Sequence, residues 1–275
     1  MKTQIEFFQE KMGINVQSII TIYGGLNSHN YLINNEFVLR MKLPIIDTFY
    51  QPSFEVQVEQ AVQNQGLSTQ LLFFDERFGH KVTRYVPHVT HFDKDHLHQQ
   101  WPCIITHLEQ LHRLSFDHHA FEGHKRLLAY QSISKAAPLI INQEKFLNEI
   151  TIIEAKYPKV LSHNDLVQGN MLFQGDRAWI IDFEYAGENS FLFDYFSFIS
   201  ENKITNERDL DWTENLYFSK AKKLSRLEFK TYHAYLDLLW YYWAKAMHHQ
   251  TSLPIYEWIA GDKRLSFFNH YQPSK

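Results

Sequence analysis

The spacing of apolar residues changes at Pro87, and that change divides the chain. Ahead of it the apolar positions come in short runs rich in β-branched and aromatic side chains, the mark of strands. Ile19-Ile20-Thr21-Ile22-Tyr23 is the first run, after a short amphipathic helix expected to reach about Asn15. Gly24-Gly25 breaks it, and Tyr31-Leu32-Ile33 resumes as a second strand. The turn signal Asn34-Asn35 leads into a third, Phe37 to Met41. Pro52 to Gln65 reads as a helix, with proline near its start and Gly66 just past its end. Leu71 to Phe74 and Lys81 to Val86 complete five strands, and Pro87 ends the last.

Beyond Pro87, Leu97, Trp101, Ile104, Ile105, Leu108 and Leu111 recur at steps of three and four, the stripe of a helix packed on a core. A further helix is expected from Gln143 to Lys156, stopped ahead of Pro158. Val160-Leu161 leads into a loop, Ala178 to Ile181 is a short apolar strand, and from about Phe191 the pattern is mainly helical. The expectation is an α+β chain of two lobes. Residues 1–86 would form a small lobe with a five-stranded antiparallel sheet and one helix, and residues 87–275 a larger, mainly helical lobe.

Composition narrows the function. A net charge of −4 gives no general attraction to nucleic acid or to an anionic membrane surface. Cys103 is the only cysteine, so no intramolecular disulfide, redox pair or cysteine-based metal site is available. The histidines are scattered, without the zinc-hydrolase motif of two on one helix. Leu238 to Met247 is too short an apolar run to span a membrane, and Met1 to Glu6 lacks a signal's basic start. A cytoplasmic enzyme with a small-molecule partner is the expectation, with no nucleic acid and no membrane insertion.

The informative stretch runs from Ser162 to Glu201. His163-Asn164-Asp165-Leu166-Val167-Gln168-Gly169-Asn170 has the spacing H-x-D-x-x-x-x-N, and Ile180-Ile181-Asp182 ends an apolar strand soon after. In kinase-type phosphoryl transfer this spacing suits an aspartate that orients the attacking hydroxyl and an asparagine that ligates Mg²⁺. A hard cation takes oxygen ligands, so an amide and a carboxylate serve where histidine or cysteine would not. The acceptor hydroxyl is a poor nucleophile, and a carboxylate can take its proton as the new bond forms. Aspartate and asparagine are also ordinary loop residues. The strand ending at Asp182 and the glycine-bent meander at the N-terminal end set this chain apart.

On these residues the sequence resembles the choline and ethanolamine kinases, within the larger aminoglycoside-phosphotransferase-like group that shares the protein-kinase fold. The likeness rests on Leu161-Ser162-His163-Asn164-Asp165, on Ile181 through Gly187, and on Phe193-Asp194 leading to Ser200-Glu201. It is weaker from Gly24 to Pro87 and returns near Trp240. The H-N-D start and D-F-E-Y-A end separate this branch from many antibiotic kinases, and it is most similar to the bacterial choline kinases.

The resemblance implies ATP and Mg²⁺ as cofactors and a role for each matched residue. Asp165 would be the catalytic aspartate, also touching the acceptor. Asn170 and Asp182 would hold magnesium, and Asp194 would pin the catalytic loop. Arg40 would contact ATP phosphates and pair with a helix glutamate, Glu55 in preference to Glu59. Gly24, Gly25, Asn27 and Ser28 would belong to the loop covering the phosphates, where Asn27-Ser28 departs from the family's usual order.

Trp240 and Trp243, at i and i+3, would face choline's quaternary ammonium, with Tyr185 and Glu201 completing the pocket. Leu236, Leu239, Trp240, Trp243 and Met247 also form an ordinary core stripe. The aromatic that some relatives carry after the acidic residue is missing, leaving Tyr241 or Tyr256 to close the box. Ethanolamine, thiamine, a sugar or an aminoglycoside are competing acceptors, and an inactive kinase-fold binding module is the competing class.

Overall fold

The computed structural model describes residues 3–22, 25–44, 48–117 and 119–271. In chain order the first elements are α1 (Gln4–Met12), β1 (Ile19–Ile22), β2 (Ser28–Ile33), β3 (Phe37–Lys42), α2 (Pro52–Asn64), β4 (Leu71–Phe74) and β5 (Lys81–Arg84). Next come β6 (Thr90–His91), α3 (Leu97–Leu111), α4 (Gly123–Ser134), α5 (Gln143–Glu154), β7 (Lys159–Ser162), β8 (Met171–Gln174), β9 (Arg177–Ile180) and β10 (Gly187–Ser190). The last four are α6 (Leu192–Glu201), α7 (Glu207–Tyr217), α8 (Arg226–Thr251) and α9 (Pro254–His270).

Contacts gather these elements into two compact units, Met1–Leu111 with Val167–Ala186, and His112–Leu166 with Gly187–Lys275. The units divide the chain at other places than a boundary after Val86, with α3 and the β8–β9 hairpin included in the first.

In the first unit β1 to β5 form an antiparallel sheet in the order β1-β2-β3-β5-β4. Alternation along β3 gives its two faces different work. Phe37 and Leu39 join Ile33 and Val82 in a core that also takes Phe7 and Phe8 from α1. Arg40 turns the other way, toward Glu55 of α2. Helix α1 stops at Met12, short of Asn15, because Gly13 takes a left-handed conformation there (φ +67°), and Thr3 with Glu6 forms a capping box at its start. The expected α3 stripe is buried at Leu97, Trp101, Ile104, Leu108 and Leu111.

The second unit is built on α8, in which every residue from Tyr232 to Ala244 is buried. A helix covered on all sides is the core of its unit. Four elements carry little sequence signal. β7 forms where only a lead into a loop was expected, because it pairs with β10, whose Gly-Glu-Asn-Ser sequence does not read as a strand. β8 escapes notice beside its hairpin partner β9. Helix α4 hides because one of its buried residues is Arg126, satisfied by the Phe121 carbonyl at 2.6 Å and lying over the Phe121 ring.

Candidate active site

In the first unit three cations and four carboxylates interlock. Register pairs Arg40 of β3 with Lys81 of β5, two like charges side by side in a buried setting. Such an arrangement is unfavourable unless acids meet it. Helix α2 supplies them at i and i+4. Arg40 Nη2 donates to Glu55 Oε1 at 2.6 Å, while Lys81 Nζ donates to the same oxygen at 3.0 Å and to Glu59 Oε1 at 2.5 Å. Tyr50 adds its hydroxyl to Glu55 Oε2 at 2.6 Å. Glu55 is therefore the partner of Arg40, and Glu59 belongs to Lys81.

Burial pushes the Glu55 carboxyl up, but Arg40 and Lys81 outweigh it and hold the group below its ordinary value. For Glu59 burial prevails over Lys81, and the carboxyl is raised. Burial and Arg40 both disfavour the Lys81 ammonium, yet Glu59, Glu55 and Asp182 keep its pKa above the usual value. Lys81 was not anticipated. The available signal was the Glu55/Glu59 pair, whose like charges on one helix face call for a cation.

The other terminal nitrogen of Arg40, Nη1, bonds Asp182 directly. Asp182 follows β9 in a left-handed backbone conformation (φ +70°), which turns the chain out of the strand. The β8–β9 hairpin brings it back toward Asn170, since Met171 pairs with Ile180 and the Ile181 N–H donates to the Asn170 carbonyl at 2.9 Å. An amide side chain and a carboxylate thus leave the same end of one hairpin. Both are hard oxygen donors of the kind magnesium takes, beside a buried guanidinium.

Gly25 is left-handed (φ +88°), and Gly24 lies outside the described residues. A Cβ at Gly25 would stand 3.3 Å from both Ser28 Oγ and Asn30 Nδ2, so a side chain there would be strained and crowded. Asn27 donates to Glu184 Oε1 at 3.1 Å and to the Tyr185 hydroxyl at 3.4 Å, linking the loop to the segment after Asp182. Glu184 also accepts from Lys42, whose ammonium lies 4.7 Å from the centre of the Tyr50 ring. Lys42 and Glu184 are further members that sequence reasoning missed.

In the second unit Asp194, fully buried on α6, receives the His163 N–H at 3.1 Å and the Asn164 N–H at 2.8 Å. His112 Nε2 stands 2.9 Å from the same carboxylate. Asn164 is left-handed (φ +66°), and its amide oxygen accepts from Asn189 of β10 at 2.8 Å. The Asp165 N–H donates to His163 Nδ1 at 3.2 Å. The half-buried Asp165 therefore sits on a segment fixed by hydrogen bonds on both sides.

Trp240 and Trp243 meet edge to face, centroids 5.8 Å apart at 88°. Tyr256 of α9 adds a second such contact to Trp243 at 5.5 Å and 80°, whereas Tyr241 meets Tyr242. Of the two candidates for closing the box, Tyr256 is the one against a tryptophan. Glu201 is ion-paired with the buried Lys263 at 2.5 Å. Lys263 also donates to Ser200 Oγ at 3.0 Å and lies 3.8 Å from Asp237. Lys263 gave no sign in the sequence, being one lysine in an otherwise mixed helical segment.

Residues 18–220 match the model of a family described as "Phosphotransferase enzyme family". The chain belongs to that family. It is a phosphotransferase with a kinase-like fold. Protein LicA of Haemophilus influenzae is 27% identical over 247 residues, covering 81% of this chain and 71% of LicA. Among solved structures, choline kinase LicA from Streptococcus pneumoniae superposes with a TM-score of 0.76 at 17% identity, covering 96% of this chain and 97% of the other. The ADP-bound aminoglycoside phosphotransferase APH(2'')-Ib gives 0.57 at 15% identity, covering 97% and 99%. The α+β fold, with its five-stranded antiparallel sheet and mainly helical remainder, is that of protein-kinase-like phosphotransferases.

Proposed function

We propose that the protein moves the γ-phosphoryl of ATP, with Mg²⁺, to the hydroxyl of choline, giving phosphocholine. The observation that carries the transfer is the chain of ion pairs Glu55–Arg40–Asp182, which would set a guanidinium able to grip phosphate beside a carboxylate able to hold the metal. Asn170 and Asp182 would hold the magnesium, which when bound neutralises charge on the phosphates. Arg40 would then exchange part of its grip on Asp182 for phosphate oxygens. Asp165, held by its fixed segment, would orient the acceptor hydroxyl and take its proton.

Choline is favoured over other alcohols by the edge-to-face tryptophans and by the state of Glu201. A quaternary ammonium donates no hydrogen bonds, so aromatic faces can hold it without a free carboxylate. One oxygen of Glu201 is already taken by Lys263, which suits such a cation better than a primary ammonium seeking several acceptors.

ADP release should be followed with ATP and Mg²⁺ over a panel of choline, ethanolamine, thiamine, a sugar and an aminoglycoside. The expected result is choline with kcat/KM at least tenfold above ethanolamine, and loss of turnover with ATP binding kept in Asp165→Asn. A better rate on another member would replace the acceptor. No ADP above background with any of them would leave a binding module and end the proposal.

A further inference from the structure

In the helical unit three side chains that phosphotransfer does not use meet between α8 and α9. His233 and Asp237 stand at i and i+4 on α8 and share a face, and His270 comes from the last turn of α9. One nitrogen or carboxylate oxygen from each lies within 4.8 Å of the other two. His270 Nδ1 and Asp237 Oδ2 are 3.2 Å apart. Two donors each about 2.0–2.1 Å from a tetrahedral zinc would be separated by roughly 3.4 Å, so this pair is already at ligand spacing.

The second, independent observation is His233 itself. It is 6% exposed, and its Nδ1 is buried with no hydrogen-bond partner among the described residues. Buried polar atoms are nearly always satisfied, and an orphan needs a physical reason. A metal ion would supply the missing partner.

The surroundings of Asp237 are those of a ligating carboxylate. Ser266 Oγ donates to its Oδ2 at 2.7 Å and Ser200 Oγ to its Oδ1 at 3.2 Å, the outer hydrogen bonds that orient such a ligand. Lys263 approaches the Oδ1 side at 3.8 Å, and its charge is offset by Glu201 at 2.5 Å. The two imidazoles stack at 3.8 Å and 17°. A turn of His233 about its Cβ–Cγ bond toward the ion would give up no hydrogen bond at Nδ1.

We propose that His233, Asp237 and His270 bind one zinc-class divalent ion that ties α8 to α9, the fourth position being left to water. Two imidazoles and a carboxylate select zinc or cobalt over magnesium, which separates this site from any metal that travels with a nucleotide.

The full-length protein, stripped with EDTA, would be titrated with Co²⁺ and then with Zn²⁺. One equivalent of cobalt should give the visible absorption of a four- or five-coordinate ion, displaced by zinc and not by excess Mg²⁺, and zinc should raise the melting temperature. His270→Gln, at a half-buried position near the end of α9, should weaken binding at least tenfold and abolish the zinc-dependent rise. Circular dichroism would show that it folds, and His233→Asn is the second variant. Absence of stoichiometric binding would overturn the site. So would binding that survives both substitutions, which would put the ion on others of the 16 histidines.

Discussion

Arg40 donates to Asp182 across 142 positions of sequence, and through its other terminal nitrogen to Glu55 at 2.6 Å. One guanidinium, 4% exposed, thereby fixes a strand, a helix and the segment carrying Asp182 to one another. Removing one member of a buried ion pair strands its partners and costs about 3–5 kcal/mol. Arg40→Met should lose that much stability in urea unfolding. Arg40→Lys keeps a charge but not the planar fork. It should unfold closer to the parent while its affinity for ATP still falls at least tenfold in calorimetry. Equal ATP affinity in Arg40→Lys would remove the arginine from the phosphate site.

The two glutamates of α2 should respond to pH in opposite senses. The Glu55 carboxyl is held below the ordinary 4.5, so its contribution is fully present above that value and is lost as pH falls through the lower, folded value. Glu59 is held above 4.5, so its ionisation opposes folding at neutral pH and its protonation on acidification favours the folded state. Glu55→Gln should therefore destabilise more than Glu59→Gln at pH 7, with the gap narrowing below pH 4.5. Chemical denaturation of both variants from pH 7 to pH 3 measures it. A gap that widens on acidification would reverse the assignment.

Much of this site is legible in the residues because phosphoryl transfer requires unusual types at fixed spacing. Asp165, Asn170 and Asp182 stand out for that reason, and Arg40 ends a strand whose alternation is plain. Lys81, Lys42 and Glu184 are not legible in that way. Each is a charged residue in a place where charge usually means solvent, and only register or helix docking turns it inward. Lys263 and Asp237 hide for the same reason in helices whose exposed faces are also charged. The weakest reading of the fold was at β7 and β10, where a Gly-Glu-Asn-Ser strand is made by its partner and not by its own propensity.

Asp194 holds the segment that leads into Asp165. Its carboxylate receives two backbone N–H groups and faces His112, all in a fully buried position. Hydrogen bonds to a charged acceptor contribute about 1.5–3 kcal/mol each, and their loss leaves buried donors unsatisfied. Asp194→Ala should lower stability by roughly 3 kcal/mol or more and reduce kcat at least a hundredfold. KM for ATP should change little. Asp194→Asn, which retains one acceptor oxygen, should fall between. Retention of full kcat in Asp194→Ala would show that the segment around Asp165 holds its shape without it.

The edge-to-face contact of Trp240 with Trp243 fits both a ligand box and a core stripe. Both side chains are nearly buried, so truncation to alanine would confuse binding with folding. Phenylalanine and leucine separate the two, since only the first keeps a ring face. Each cation–π contact is worth about 0.5–2 kcal/mol, which corresponds to roughly a 2- to 30-fold change in affinity. Trp240→Leu and Trp243→Leu should raise KM for choline by that factor, and the phenylalanine variants should recover part of it. The neutral isostere 3,3-dimethylbutan-1-ol should bind all of these variants alike. If leucine and phenylalanine raise KM equally, and do so for the neutral alcohol as well, the tryptophans are core residues and the cation is recognised elsewhere.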